Sequence, residues 1–323
     1  MLKPLSMKAI VAGFLFSFGF AALSSGGGAQ NATVASQDLP DDMAVILNSL
    51  NREKLDNKLI ESASNMSNPS SRVVVVGDSH AGRLYPPLAE WGLKNNISIE
   101  HMRIGGGCPP LLDTFVFGTD EKGDGDNCNK SGTDAILKLG NSKFDTVILV
   151  ARWGMYSSNL SSLDGRVVGK ENRKYKSISG DINKGYVADM TLSQQAFEAG
   201  VERTIKYFKS KGKRVIVVTQ PPPVGSDFPR CVRSQPSPAD VGANCFLPTY
   251  ADRMDEIQWS TDALVKLSGE LDFELVNSHD MFCQSRSCKV ANKQGIFYLD
   301  SNHLSYVGAS FLADWVEKIL APR

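Results

Sequence analysis

Hydrophobic residues along the chain fall into two kinds of run. Val73-Val74-Val75-Val76 shows no polar alternation, the mark of a strand buried on both faces in a parallel sheet covered by helices. Ile97–Ile104, Thr146–Val150, Arg214–Thr219 and Phe273–Val276 are predicted as further strands. Longer stretches with helical spacing lie between them. Ala81–Asn95 is one, and Leu192–Lys211 carries Ala196, Val201, Ile205 and Phe208 on one side before Gly212 closes it. Thr249–Ser268 is another, a shorter helix is predicted over Thr133–Leu139, and Leu304–Leu320 spaces Val307, Phe311, Trp315 and Ile319 as a core-facing helix would. Strands alternating with helices predict an α/β fold: a three-layer α/β/α sandwich with a central parallel sheet and a ligand crevice at the carboxyl ends of its strands.

The pattern also divides the chain. Lys3 and Lys8 precede an apolar run, Ala9–Leu23, and a small-residue stretch, so residues 1–30 read as a signal peptide or a membrane anchor. Residues 31–71 read as a polar spacer with one helix, Asp41–Ser62, docked or loose, and residues 72–323 as the folded domain. Residues 156–190, rich in Ser, Asn, Lys and Gly, lack periodicity and are expected as an insertion over the strand ends, a lid or acceptor surface. Pro221–Pro248 is expected as a long irregular loop.

Composition narrows the function. The 323 residues carry 35 basic and 35 acidic side chains, a formal net charge of +0 with the signs interspersed. That offers no basic stripe for nucleic acid. The six cysteines are Cys108, Cys128, Cys231, Cys245, Cys283 and Cys288, an even count that fits oxidative export. Neighbours along the chain give the expected pairs Cys108–Cys128, Cys231–Cys245 and Cys283–Cys288. The spacing does not suit zinc. Asp120, Asp124 and Asp126 do not follow a calcium-loop spacing and read as solvated. No metal or cofactor is expected.

Candidate chemistry sits at the two ends of the domain. Gly77 allows a tight exit from the first strand, and Asp78-Ser79 falls where a helix begins, so its first N–H groups favour a developing negative charge at Ser79. An N-cap serine without chemistry is the other reading. Asp300 and His303, one turn apart, can supply the base and the group that orients it. Gly105-Gly106-Gly107 after the second strand lets backbone approach a ligand closely, as an oxyanion donor must. His279 lacks an acid three residues before it and reads as structural; His80 reads as packing or pocket-lining, and His101 as a strand residue.

Gly77-Asp78-Ser79 and Asp300-Ser301-Asn302-His303 together resemble the first and last blocks of the SGNH (GDSL-type) hydrolase superfamily. More narrowly, Gly77-Asp78-Ser79-His80, Gly107-Cys108-Pro109-Pro110-Leu111, Ala151-Arg152-Trp153 and His303-Leu304-Ser305 are similar to the extracytoplasmic SGNH domain fused to bacterial acyltransferase family 3 membrane proteins. The resemblance covers about residues 70 to 320 and implies a flavodoxin-like SGNH hydrolase fold. It implies Ser79, His303 and Asp300 as the catalytic triad, and an oxyanion hole of the Ser79 N–H with that of Gly106 or Gly107. The superfamily's third block offers an Asn side chain where this chain has Trp153, whose indole either substitutes as a donor or walls the acyl pocket. Arg152 either binds substrate or pairs with an acid. In the fused relatives a membrane helix occupies the place of residues 1–30.

The implied function is an extracytoplasmic, serine-dependent O-acetyltransferase acting on a cell-surface glycan, supplied by an integral-membrane acyltransferase. A carbohydrate acetyl esterase with the same triad, or a non-catalytic glycan-binding module, are the other readings.

Overall fold

The computed structural model describes residues 39–51, 61–63, 65–118, 125–157, 176–179, 190–224, 228–246, 250–284 and 287–321. Five strands, β1 (Ser71–Gly77), β2 (Ile97–Arg103), β3 (Thr146–Val150), β4 (Arg214–Val218) and β5 (Glu274–Val276), form one sheet in the order β2-β1-β3-β4-β5. Every pairing is parallel. This is the flavodoxin-like order, in which the chain reverses direction between β1 and β3 and leaves a crevice at their carboxyl ends.

The helices are α1 (Met43–Ser49), α2 (Ser79–Lys94), α3 (Gly125–Gly140), α4 (Met190–Ser210), α5 (Tyr250–Leu271) and α6 (Tyr306–Leu320), with shorter turns between. The valines of β1 explain the layers. Side chains alternate along a strand, so Val73 and Val75 join one core with Leu84 and Leu88 of α2 and Leu312 and Val316 of α6. Val74 and Val76 join the other, with Ile136 of α3, Phe197 and Val201 of α4 and Leu264 of α5. All four valines are at most 1% exposed. Each such burial contributes about 1.5–3 kcal/mol, which fixes β1 centrally and with it the residues that follow.

Several expectations change. Of the helix expected over Asp41–Ser62, residues 52–60 lie outside the described residues, and the described part includes α1, capped by Asp42, whose side chain accepts from the Ala44 N–H. It is docked: Leu39, Ile46 and Leu50 are buried in the first core, and Ser49 Oγ accepts from the Ile296 N–H at 3.0 Å. The α3 helix begins well before Thr133, with Cys128 held in its first turns by the bridge to Cys108. The stretch Pro221–Pro248 contains two short helices, Phe228–Ser234 and Pro238–Asn244, joined by Cys231–Cys245. Ser237 caps the second and Pro238 follows it, a local start signal that the loop reading passed over. The third bridge, Cys283–Cys288, closes a two-strand hairpin.

Within the expected insertion, Lys176–Ser179 pairs antiparallel with Phe115–Gly118; the stretches 158–175 and 180–189 lie outside the described residues. So do residues 1–30, Asp120, Asp124 and the side chain of Asp126. No helix among the described residues is long and apolar enough to cross a membrane.

Candidate active site

The site is built at the carboxyl ends of β1, β2 and β3. Gly77 has φ +156°, and a Cβ there would lie 1.7 Å from the Val150 carbonyl oxygen. Only glycine lets the end of β1 approach β3 so closely. Asp78 then caps α2, its Oδ1 accepting from the His80 N–H at 2.9 Å, and Ser79 opens the helix.

The opposite end of the chain meets it there. Ser79 Oγ lies 2.7 Å from His303 Nε2, and His303 Nδ1 lies 2.8 Å from Asp300 Oδ2. Asp300 Oδ1 accepts from the backbone N–H groups of Asn302 and His303 at 3.0 and 2.8 Å. Burial acts to raise the pKa of Asp300, but the hydrogen bond from His303, its charge and the two backbone donors outweigh it, so the carboxyl is held well below the usual carboxylate range. Asp300 is therefore an acceptor only, which puts the imidazole hydrogen on Nδ1 and leaves Nε2 to accept from the Ser79 hydroxyl.

The loop that carries these two residues is tied on several sides. Leu299 donates to the His303 carbonyl, Val224 to that of Ser301, and the Ser305 hydroxyl to that of Ile296. Ser305 also caps α6 by accepting from the Gly308 N–H. Tyr298 Oη donates to the Pro222 carbonyl at 2.6 Å, linking the loop to the segment after β4.

His80 is buried and does more than pack. Its Nε2 lies 3.0 Å from Asn302 Oδ1, and its ring centroid is 4.9 Å from that of His303. Burial, then the charges of His303 and Arg152, hold its imidazole well below the ordinary histidine range despite the Asn302 contact. The residue beside the His303 imidazole therefore stays neutral. His80 and Asn302 thus bridge the two chain ends alongside the Ser79–His303 contact.

The glycine segment forms a tight turn, Gly105–Gly107, with Gly107 at φ +65°, a left-handed conformation that disfavours other residues. Cys108 anchors it through the bridge to Cys128. After β3, the Arg152 N–H donates to Asp78 Oδ2 at 2.9 Å, so the backbone of Arg152 pins the turn that leads into Ser79. Of the two roles expected of the Trp153 indole, donor or pocket wall, the geometry does not favour the first: Trp153 is 1% exposed, its Nε1–H donates to the Val218 carbonyl of β4 at 2.7 Å, and its ring packs against Phe197. His279 stands on a short helix, its Nδ1 3.5 Å from the neighbouring Asp280.

Two residues escaped the sequence reading. Asn302 lay inside the last block without a role, and Tyr156 lay at the edge of the stretch taken as insertion. Tyr156 follows Trp153 by three positions on one helical turn, the spacing that puts two side chains on one face; that was the available signal. Its hydroxyl lies 3.0 Å from Asp78 Oδ2 and 2.6 Å from the Gly107 carbonyl oxygen.

Strand order, crevice and the Ser–His–Asp chain agree with one further finding: the family described as "SGNH domain (fused to AT3 domains)" matches residues 49–318. The chain belongs to this family. Among solved structures, the SGNH domain is similar to the periplasmic domain of a lipopolysaccharide acetyltransferase from Salmonella ser. Paratyphi A, at 18% identity and a TM-score of 0.52, covering 85% of this chain and 94% of that one. A GDSL-like lipase from Bacteroides thetaiotaomicron matches at 10% identity and a TM-score of 0.40, with 82% and 96% covered. A catalytic mutant of an acetylxylan esterase from Geobacillus stearothermophilus matches at 10% identity and 0.37, with 80% and 97% covered. The first of these likenesses bears on the fold alone. No curated protein sequence matches the chain. Family and fold together make this an acyltransferase or esterase of the SGNH type.

Proposed function

We propose that the chain is an extracytoplasmic O-acetyltransferase that carries an acyl group on Ser79 and delivers it to a hydroxyl of a cell-surface glycan. The observation that carries this is the continuous chain Asp300–His303–Ser79, with contacts of 2.8 and 2.7 Å, in a family named for fusion to AT3 domains.

The mechanism is a double displacement. Ser79 Oγ attacks the carbonyl carbon of the acyl donor as its proton passes to His303 Nε2, and the imidazolium is stabilised through Nδ1–H by Asp300. His303 then protonates the leaving oxygen, and Ser79 is left as an ester. An acceptor hydroxyl gives its proton to Nε2, attacks that ester and releases Ser79. In each half the carbonyl oxygen becomes negative. Asp78 takes the His80 N–H, so the Ser79 N–H at the start of α2 is the first donor for that charge, and an N–H of Gly106 or Gly107 is the second. With Trp153 turned to Val218, the hole rests on backbone alone.

Three disulfides suit an oxidising compartment, and residues 1–30 act as a signal peptide or anchor with residues 31–71 leading into a catalytic domain over 72–323. Acyl-coenzyme donors are absent from such a compartment, so the donor is a membrane acyltransferase that brings the acyl group across. The test is purified protein with an acetyl-aryl ester, with and without oligosaccharide. Acetylated sugar that depends on Ser79 is the expected product. Free acetate regardless of sugar makes the protein an esterase, and no fluorophosphonate labelling at Ser79 makes it a binding module.

A further inference from the structure

Two buried side chains beside Ser79 have no part in the steps above. Asp78 is 1% exposed and Tyr156 0%. Tyr156 Oη sits 2.6 Å from the Gly107 carbonyl oxygen and 3.0 Å from Asp78 Oδ2. A phenol has one hydrogen. The Gly107 carbonyl has none to offer, and two oxygens approach as closely as 2.6 Å only with a hydrogen between them. The phenol hydrogen therefore lies towards Gly107. The contact with Asp78 then needs a hydrogen from the carboxyl side. The remaining contacts of Asp78 do not supply it, since the N–H groups of His80 and Arg152 each point at the carboxyl and not at Tyr156.

We propose that Asp78 is a neutral carboxylic acid in the resting protein, donating from Oδ2 to Tyr156, which donates in turn to the Gly107 carbonyl and so fixes the glycine turn. Tyr156 is on this account a positioning residue. The inference rests on the reading of the glycine turn as an oxyanion donor. One chain of two hydrogens ties together the ends of β1, β2 and β3: Asp78, Gly107, and the short helix after β3 that holds Tyr156. A neutral Asp78 also puts no fixed negative charge next to the oxygen that becomes negative during acyl transfer.

The surroundings agree. Burial is the largest influence on Asp78 and raises it above the usual carboxylate value; the N–H groups of Arg152 and His80, the Tyr156 hydroxyl and the charge of His303 act the other way. The last of these is missing while His303 is neutral and accepting from Ser79. Burial is the largest influence on Tyr156 and holds it well above the ordinary phenol value, so its hydroxyl keeps its hydrogen without any charge on Asp78.

The test is infrared difference spectroscopy at neutral pH between the wild-type protein and Asp78→Asn, with Tyr156→Phe alongside. A protonated-carboxyl carbonyl band present in the wild type, lost in Asp78→Asn and shifted in Tyr156→Phe is the expected result. Loss of carboxylate bands alone overturns the proposal. Should Asp78→Asn fail to fold, Tyr156→Phe carries the test, since Phe keeps the ring and removes only the oxygen; no protonated-carboxyl band moving in it overturns the proposal equally. Tyr156→Phe should also slow fluorophosphonate labelling of Ser79 by roughly ten- to a hundredfold through misplacement of the turn, and unchanged labelling refutes the positioning role. A wild-type protein that shows the band but never labels Ser79 would sink the catalytic reading and leave Asp78 neutral, so the two failures are told apart.

Discussion

Replacing Asp300 with Asn changes one atom and should remove the base. The Asn side chain matches Asp in volume, and its Oδ1 can keep the two backbone contacts at 3.0 and 2.8 Å, so the turn stays folded. The atom 2.8 Å from His303 Nδ1 changes from acceptor to NH₂ donor. Two donors cannot share that distance, so the imidazole hydrogen moves to Nε2, where it faces Ser79 Oγ at 2.7 Å. The nucleophile then has no acceptor for its proton. A tautomer error of this kind costs about 10⁴-fold in a serine hydrolase, equal to roughly 5.5 kcal/mol of barrier. Stability should change little, because the Asp300 side chain is 37% exposed and a pair so placed is screened by solvent. The assay is the second-order rate of fluorophosphonate labelling, read beside thermal melting. A folded Asp300→Asn protein that labels within about tenfold of the wild type refutes the reasoning.

Two further substitutions probe the surroundings. Trp153→Phe removes the donor to the Val218 carbonyl without touching the oxyanion hole, so it should lower stability by about 1–3 kcal/mol in urea unfolding and leave the labelling rate within about tenfold; a larger rate loss in a protein of near-normal stability restores the indole as a donor. His101, stacked on Tyr85, is depressed by burial and then by the Arg103 charge from 6.5 to about 4. The unfolded chain takes up its proton first as pH falls, so this contribution is complete above pH 6.5 and is lost towards pH 4, amounting to roughly 3 kcal/mol. His101→Phe should flatten urea stability over that window, while the buried His80 keeps part of the slope; a slope identical to wild type contradicts the assignment.

The sheet was legible because β1, β3 and β4 are nearly uninterrupted apolar runs, and a run such as Val73–Val76 admits few other placements. The Ser–His–Asp grouping was legible for a different reason: its residues lie at the ends of predicted elements, where the topology brings strand ends together. The part that was not legible is the part made by side chains crossing between elements. Nothing local says that Trp153 turns its indole to Val218, or that His80 reaches Asn302 across the site. Both follow from the register of β3 against β1 and β4 and from the closeness that Gly77 permits. Tyr156 was missed because the polar insertion beginning beside it masked one turn of helix. The short helices within 221–248 were missed because their stability comes from the Cys231–Cys245 bridge and burial of Phe228 and Val232, which no helical periodicity reports.

The central claim is that Ser79 carries the acyl group between donor and acceptor. Intact-protein mass spectrometry after brief incubation with an acetyl-aryl ester, followed by peptide mapping, tests it directly. One acetyl group on the peptide that contains Ser79, absent in Ser79→Ala and discharged by oligosaccharide, is the predicted result. Acetylated sugar formed at the wild-type rate by Ser79→Ala would contradict the account.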